Sequence, residues 1–149
     1  TSAVITKAAQ AARDISVIVD TDWKSYWERR FAEPLRDAES LRMDADLRIR
    51  SIGQKPESLD SIQAQFIGLI GLHREGAAAL MDWYGRRRQI DSAARRMFMT
   101  DLLQAAVLND VPVYGVPTAG GWLEIDSHSD LKLAEEMTQL DRKTLKVGR

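Results

Sequence analysis

Apolar and polar positions along the chain alternate between helical and extended periodicities. "SAVITKAAQAAR" places Val4, Ile5, Ala8, Ala9 and Ala12 at helical spacing, which predicts an amphipathic helix. "DISVIVD" follows. Its β-branched residues, Ile15 to Asp20, are apolar almost without interruption, which predicts a strand buried on both faces. "DWKSYWERRFAEPL" predicts a short helix ending before Pro34, because proline disfavours helical backbone in the residue before it. "LRMDADLRIRSIG" predicts a polar turn around Asp44 to Asp46 between two extended segments, with one face wet.

"GQKPESLDS" reads as a loop, and "IQAQFIGLIGL" as a long strand. Gly68 and Gly71 in that strand predict a bulge or the close approach of another backbone. "EGAAALMDWYGRRR" predicts a helix facing the core with Leu80, Met81, Trp83 and Tyr84. "RRMFMTDLLQAAVLND" predicts another, capped by Thr100 or by a residue before Arg95 and ending near Asn109 and Asp110. "VPVYGVP" and "GGWLEID" read as two short strands, and "SHSDLKLAEEMTQLDRKTL" as a closing helix. The order α-β-α-β-β-α-α-β-β-α predicts a single α/β domain over residues 1–149, a three-layer mixed sheet flanked by helices.

Composition narrows the function classes. With no cysteine there is no disulfide and no thiolate chemistry. No apolar run approaches the roughly 20 residues of a membrane span, and no signal-peptide pattern is present, so a cytoplasmic protein is expected. Lys and Arg total 21 against 22 for Asp and Glu, a balance that argues against a general nucleic-acid binder. The local run Arg86, Arg87, Arg88, with Arg95 and Arg96, is expected on a solvated loop, with an anion site as the alternative.

Two acidic pairs could carry chemistry. In "GGWLEIDSHSDL", an extended backbone sends Leu123 and Ile125 to one face, toward the core, and Trp122, Glu124 and Asp126 to the other. Neighbouring carboxylates repel unless something positive lies between them, and a hard divalent cation does this well. Ser127 and Asp130 fit the spacing of a helix capping box, so the pair would sit where a strand feeds a helix. The plainer alternative is a solvated pair of which Asp126 helps cap that helix. The second pair is Asp20 and Asp22 in "VIVDTDW". It matches the strand-end Asp-x-Asp of dehalogenase-type phosphatases, or an acidic turn in which Asp22 caps the next helix. His73 and His128 share no metal-ligand spacing. Lys55, in the "GQKP" loop, could reach a phosphate or simply be solvated. Trp23, Trp27, Trp83 and Trp122 could wall a quaternary ammonium or pack as core.

Taken in chain order, "VIVDTDWKSYWERRFAEPLRDAESL", "SIGQKP", "IQAQFIGLIGL", "MTDLLQAAV" and "GGWLEIDSHSDLKLAEE" resemble the nucleotidyltransferases of the sugar-phosphate and phosphocholine cytidylyltransferase type. The resemblance implies the second half of a Rossmann-like nucleotidyltransferase fold. It also implies Mg²⁺ as cofactor, and an NTP, with CTP one candidate, joined to a sugar phosphate, phosphocholine or phosphonate with release of pyrophosphate. By the same likeness Asp126 matches a metal-binding, catalytic acid and Glu124 its neighbour and co-ligand. Gln65 and Gly68 match the strand bordering the acceptor pocket, and Lys55, a loop lysine, and Trp122, which heads the acidic motif, are expected with them among the substrate-binding residues. The family's Gly-rich triphosphate loop and first metal-binding aspartate do not occur in the chain. The expectation is therefore a C-terminal part of a larger domain, inactive alone, that associates with the nucleotide-binding half or with a second copy. Two other readings stay open: a non-catalytic α/β association or small-ligand module, and a phosphatase using Asp20.

Overall fold

The computed structural model describes residues 2–147, with side chains placed for residues 3–139. In chain order the elements are helix Ser2–Gln10 (α1), strand Ile15–Asp20 (β1), helices Trp23–Arg30 (α2) and Pro34–Asp37 (α3), and strands Ser40–Met43 (β2), Ile49–Gln54 (β3) and Gln65–Leu72 (β4). Helices Arg74–Ile90 (α4) and Met99–Leu108 (α5), strand Tyr114–Thr118 (β5) and helix His128–Val147 (α6) complete them. One-turn 3-10 segments lie at Leu59–Ser61 and Ser92–Arg96.

β1 is the middle strand of a three-stranded sheet, antiparallel to β4 and parallel to β5, and all six of its residues are buried. A strand covered on both faces needs no polar side, which is why its sequence does not alternate. Ile15, Val17 and Val19 join Leu41, Ile49, Ile52, Leu103, Ala106 and Val113 in the main core, formed with the β2–β3 hairpin and α5. α1 packs against the sheet, and the Cβ of Ser16 and the backbone of Ala8 both crowd Gly71. The result is a small mixed sheet flanked by helices, the α/β class expected.

The glycines of β4 do what their positions predict. Gly68 has φ +78°, a conformation costly for a residue with a Cβ, and the β1–β4 register slips there: Val17 pairs with Ile70, but Val19 with Phe66. Gly71 lets the carbonyl of Ala8 approach to 3.2 Å from where a Cβ would stand.

Several expectations need correction. Pro34 opens α3 instead of only ending α2, because proline's fixed φ suits the first helical turn. The arginines Arg86 to Arg88 lie on α4, not a loop: Arg86 pairs with Asp82 and Arg87 with Asp91 one turn away, and Arg88 lies over Tyr84. Met81 is 73% exposed, so of the four core candidates on that helix only Leu80 is buried. α5 starts at Met99 with Phe98 as its N-cap, and Asp101 accepts a hydrogen bond from the Phe98 amide. "GGWLEID" is not a strand. It is an irregular segment without sheet partners, between β5 and α6.

α4 starts against the loop before β1, and a methyl group at Gly76 would stand 2.1 Å from the Asp14 carbonyl oxygen. Gly85 has open space around it on the same helix. Gly76→Ala should therefore lower stability by about 1–3 kcal/mol or more. Gly85→Ala should raise it by up to about 1 kcal/mol through helix propensity alone. Urea midpoints of the two variants, shifted in opposite directions, check the assignment.

Candidate functional site

Trp23, Tyr26, Trp27 and Arg30 fall at i, i+3, i+4 and i+7, so they share one face of α2. The three aromatics are buried, and with Trp122 they pack mainly edge to face at centroid separations of 5.7–6.1 Å. Arg30 continues the same stripe, and its side chain is only 2% exposed. A guanidinium in that position needs compensating charge, and the segment between β5 and α6 supplies it. Arg30 Nε donates to Asp130 Oδ1 at 2.8 Å, Nη2 to Asp126 Oδ2 at 2.6 Å, and Nη1 to Glu124 Oε2. Its planar carbon lies 4.9 Å from the Phe31 ring centroid.

Further bonds fix the path of this segment. Asp20 is 1% exposed, and both its oxygens are used: Oδ1 accepts from the amides of Asp22 and Gly120 at 2.9 Å, Oδ2 from Trp122 Nε1 at 2.8 Å. Gly120 and Gly121 have φ +62° and +82°, the left-handed backbone that turns the chain from β5 back over α2. The Tyr26 hydroxyl donates to the Glu124 carbonyl and accepts from the Glu124 amide, both at 3.0 Å. At the start of α6 the expected capping box forms. The amide of Ser127 donates to Asp130 Oδ2 at 2.9 Å, and the Asp130 amide donates to Ser127 Oγ at 3.2 Å.

The electrostatics follow. Burial works against the charge of Arg30, but hydrogen bonds to Asp130, Asp126 and Glu124 outweigh it and hold its pKa above the ordinary arginine value. The hydrogen bond from Arg30, then that from Ser127, hold the Asp130 carboxyl well below the usual carboxylate range.

The predicted site residues divide into two groups. Glu124 and Asp126 are brought together on Arg30, but the face assignment is reversed. Trp122 and Glu124 turn inward to α2, while Leu123 and Ile125 are 36% and 53% exposed. The reason is that α2, not the sheet, is the surface this segment covers. Trp122 is an aromatic-core residue tied to Asp20. Gln65 lies beside Asp20 in the sheet, 4% exposed, and its side-chain amide spans the backbone of Glu39, donating to the carbonyl at 2.6 Å. Gly68 is the bulge. Lys55, an exposed residue, donates from Nζ to the carbonyls of Leu35 and Arg36 at 2.6 and 2.8 Å and so ties its loop to α3. His73 N-caps α4, with Nε2 bonded to the Ala11 carbonyl at 2.8 Å, and His128 opens α6, exposed. Asp22 is the N-cap of α2 by position, but its side chain makes no capping bond. Asp20, with its lone pairs engaged and no solvent access, is a brace and not the free carboxylate a phosphatase nucleophile requires. The sequence marks Asp130 only as the capping acid and does not mark Arg30, whose signal is a charged residue in register with the apolar stripe Trp23, Tyr26 and Trp27.

Arg30 takes one oxygen each from Glu124 and Asp126. Among the described residues their other oxygens accept no hydrogen bond, and the Asp126 side chain is 69% exposed beside a depression of about 230 Å³ lined by Ile125, Ser127, His128 and Leu131. Three carboxylates facing one guanidinium leave two negative charges uncompensated. On side chains 43% and 69% exposed, Glu124 and Asp126 thus each keep one oxygen without a hydrogen bond, a hard donor set of the kind Mg²⁺ takes as one or two protein carboxylates with water and substrate phosphates. Among the described residues no group of three or more acids or histidines could hold a metal by itself. A larger hollow, about 440 Å³, lies at the opposite end of the sheet, against Arg13, Asp14, Glu75 and Tyr114, away from these acids.

No family model matches the chain. It is 33% identical over 136 residues, 89% of its own length, to the CTP:phosphoglutamine cytidylyltransferase of Campylobacter jejuni. The chain spans about half the length, 53%, of that relative. The resemblance to a cytidylyltransferase-type enzyme is thereby borne out. Among the described residues, no helix is long and apolar enough to cross a membrane.

The depressed pKa of Asp130 fixes a pH dependence. A carboxylate held below its unfolded value contributes stability above that value, about 3.9, and loses the contribution as pH falls toward its folded value. Asp130→Asn should therefore be less stable than wild type by a constant amount between pH 5 and 7. The gap should narrow progressively below about pH 4. Urea denaturation of both proteins from pH 7 to pH 3 measures it.

Proposed function

We propose that the chain is the acceptor-side portion of a magnesium-dependent cytidylyltransferase, which joins CTP to a small phosphorylated acceptor and releases pyrophosphate. The observation that carries this reading is the likeness, over 89% of the chain, to an enzyme whose name gives both CTP and a phosphorylated acceptor. The outward oxygen pair of Glu124 and Asp126 supports it, because catalysis of phosphoryl-type transfer is largely positioning and charge neutralisation. These two side chains would hold Mg²⁺, which, when bound, offsets charge that builds on phosphate oxygens in transfer. A phosphate acceptor is ionised at neutral pH, so no general base is required of the chain.

The residues also bear on the acceptor. Recognition of a quaternary ammonium needs open aromatic faces. Here Trp23 and Trp27 are 3% and 4% exposed and packed on one another, on Tyr26 and on Trp122. That favours an acceptor without a choline-like group, and phosphoglutamine, in the relative's name, is the first candidate. The glycine-rich triphosphate loop of such enzymes is not among the 149 residues. The reading accordingly assigns the grip on the nucleotide to other residues of a longer polypeptide.

Pyrophosphate release, measured across nucleotides and phosphorylated acceptors, tests this in the longest polypeptide that carries the chain. CTP with phosphoglutamine should give the highest turnover and phosphocholine little, and the chain alone should give none. Asp126→Ala should lower kcat by at least about a hundredfold, on the scale of losing a group that stabilises transition-state charge, with near-UV circular dichroism unchanged. Full turnover by Asp126→Ala would remove that residue from the chemistry. Hydrolysis of a phosphate monoester abolished by Asp20→Asn would instead favour the phosphatase.

A further inference from the structure

We infer that Arg30 is a positioning residue for divalent-cation binding: its buried guanidinium aims Glu124 and Asp126 so that one oxygen of each faces outward as a ligand pair. The inference rests on the reading of that pair as the metal-holding group. The geometry carries it. The three guanidinium nitrogens engage three carboxylates, Nε on Asp130, Nη1 on Glu124 and Nη2 on Asp126, with a longer second contact of 3.4 Å from Nη2 to Asp130. Such a fork cannot be supplied by a point charge, so lysine is not a conservative replacement. The base of the fork is rigid, because Phe31 and the α2 aromatics pack against it and Asp130 is locked by the capping box. Glu124 and Asp126 are the two members with solvent access, at 43% and 69% side-chain exposure, against 7% for Asp130. They belong to an irregular segment between β5 and α6 that Asp20, Tyr26 and Arg30 anchor. Of these, Arg30 alone touches both carboxylates.

The sign of the effect separates positioning from simple electrostatics. A positive charge beside a cation site repels the cation, so if Arg30 acted only through its charge, neutralising it would tighten binding. If it positions the pair, removing it frees mutually repelling carboxylates and weakens binding. Residues that act through a metal ligand in this way change affinity by roughly 10- to 100-fold.

The test is titration of the full 149-residue chain with Mn²⁺, read by electron paramagnetic resonance, for wild type, Arg30→Gln, Arg30→Lys and Asp126→Ala. Amide hydrogen exchange over residues 120–127 is measured alongside. Near-UV circular dichroism of the tryptophan cluster reports folding, and Arg30→Lys, which keeps the stem against Phe31, decides the matter if Arg30→Gln does not fold. The expected result is that Asp126→Ala removes a Mn²⁺ site. Both Arg30 variants should weaken that site about tenfold or more and speed exchange at residues 120–127. If Asp126→Ala removes the site but the Arg30 variants bind Mn²⁺ as well as or better than wild type, the positioning role is overturned and the metal reading stands. Should Asp126→Ala bind Mn²⁺ like wild type, the metal reading fails, and this inference with it.

Discussion

A guanidinium buried on the apolar face of an eight-residue helix is the constraint from which the site is built. Left unpaired, such a charge would cost several kcal/mol, so the fold must bring carboxylates to it. It does so with one segment, Glu124 to Asp130, which must leave the sheet after β5, cross α2 and enter α6. The two left-handed glycines, the Asp20–Trp122 bond and the Tyr26–Glu124 pair are the means by which that crossing is held. A stabilising pair would need only one acid. Three acids around one arginine leave an excess of negative charge, and on the proposed reading that excess serves cation binding.

The arrangement also links the sheet to the site. Asp20 closes the central strand, and Gln65 and Thr118 flank it on the neighbouring strands. The strand ends that bind ligands in open α/β sheets are here sealed by side-chain hydrogen bonds, and the polar surface is displaced outward onto the segment that follows. The aromatic cluster fills the gap between. Its burial explains why Trp23, Trp27 and Trp122 need not signal an open aromatic pocket; Trp83 lies apart from them on α4.

Much of this was legible in the sequence because it depends on neighbours along the chain. The uninterrupted apolar run of β1, the turn at Asp44 to Asp46, the bulge at Gly68 and the Ser127–Asp130 capping box are local, set by periodicity, backbone sterics or spacing of three residues. The resemblance carried by the chain's motifs likewise needed only residue order. The errors fell where a partner distant in sequence decides. "GGWLEID" alternates like a strand, but the surface it covers is α2, about 95 residues earlier, so its inward and outward faces exchange. Lys55 and Gln65 carry polar groups suited to a substrate, and both are spent on backbone groups of the Leu35 to Glu39 segment.

What the chain's own order of residues determined is the class of fold, the elements that local periodicity forces, and the acidic motif with its capped helix. Tertiary structure alone decided what those acids face. Arg30 is an unremarkable charge in sequence, separated from Glu124, Asp126 and Asp130 by nearly a hundred residues. Only packing of α2 against the final segment removes water from around it and makes the choice of carboxylate partners, and of the oxygens left outward, a matter of geometry.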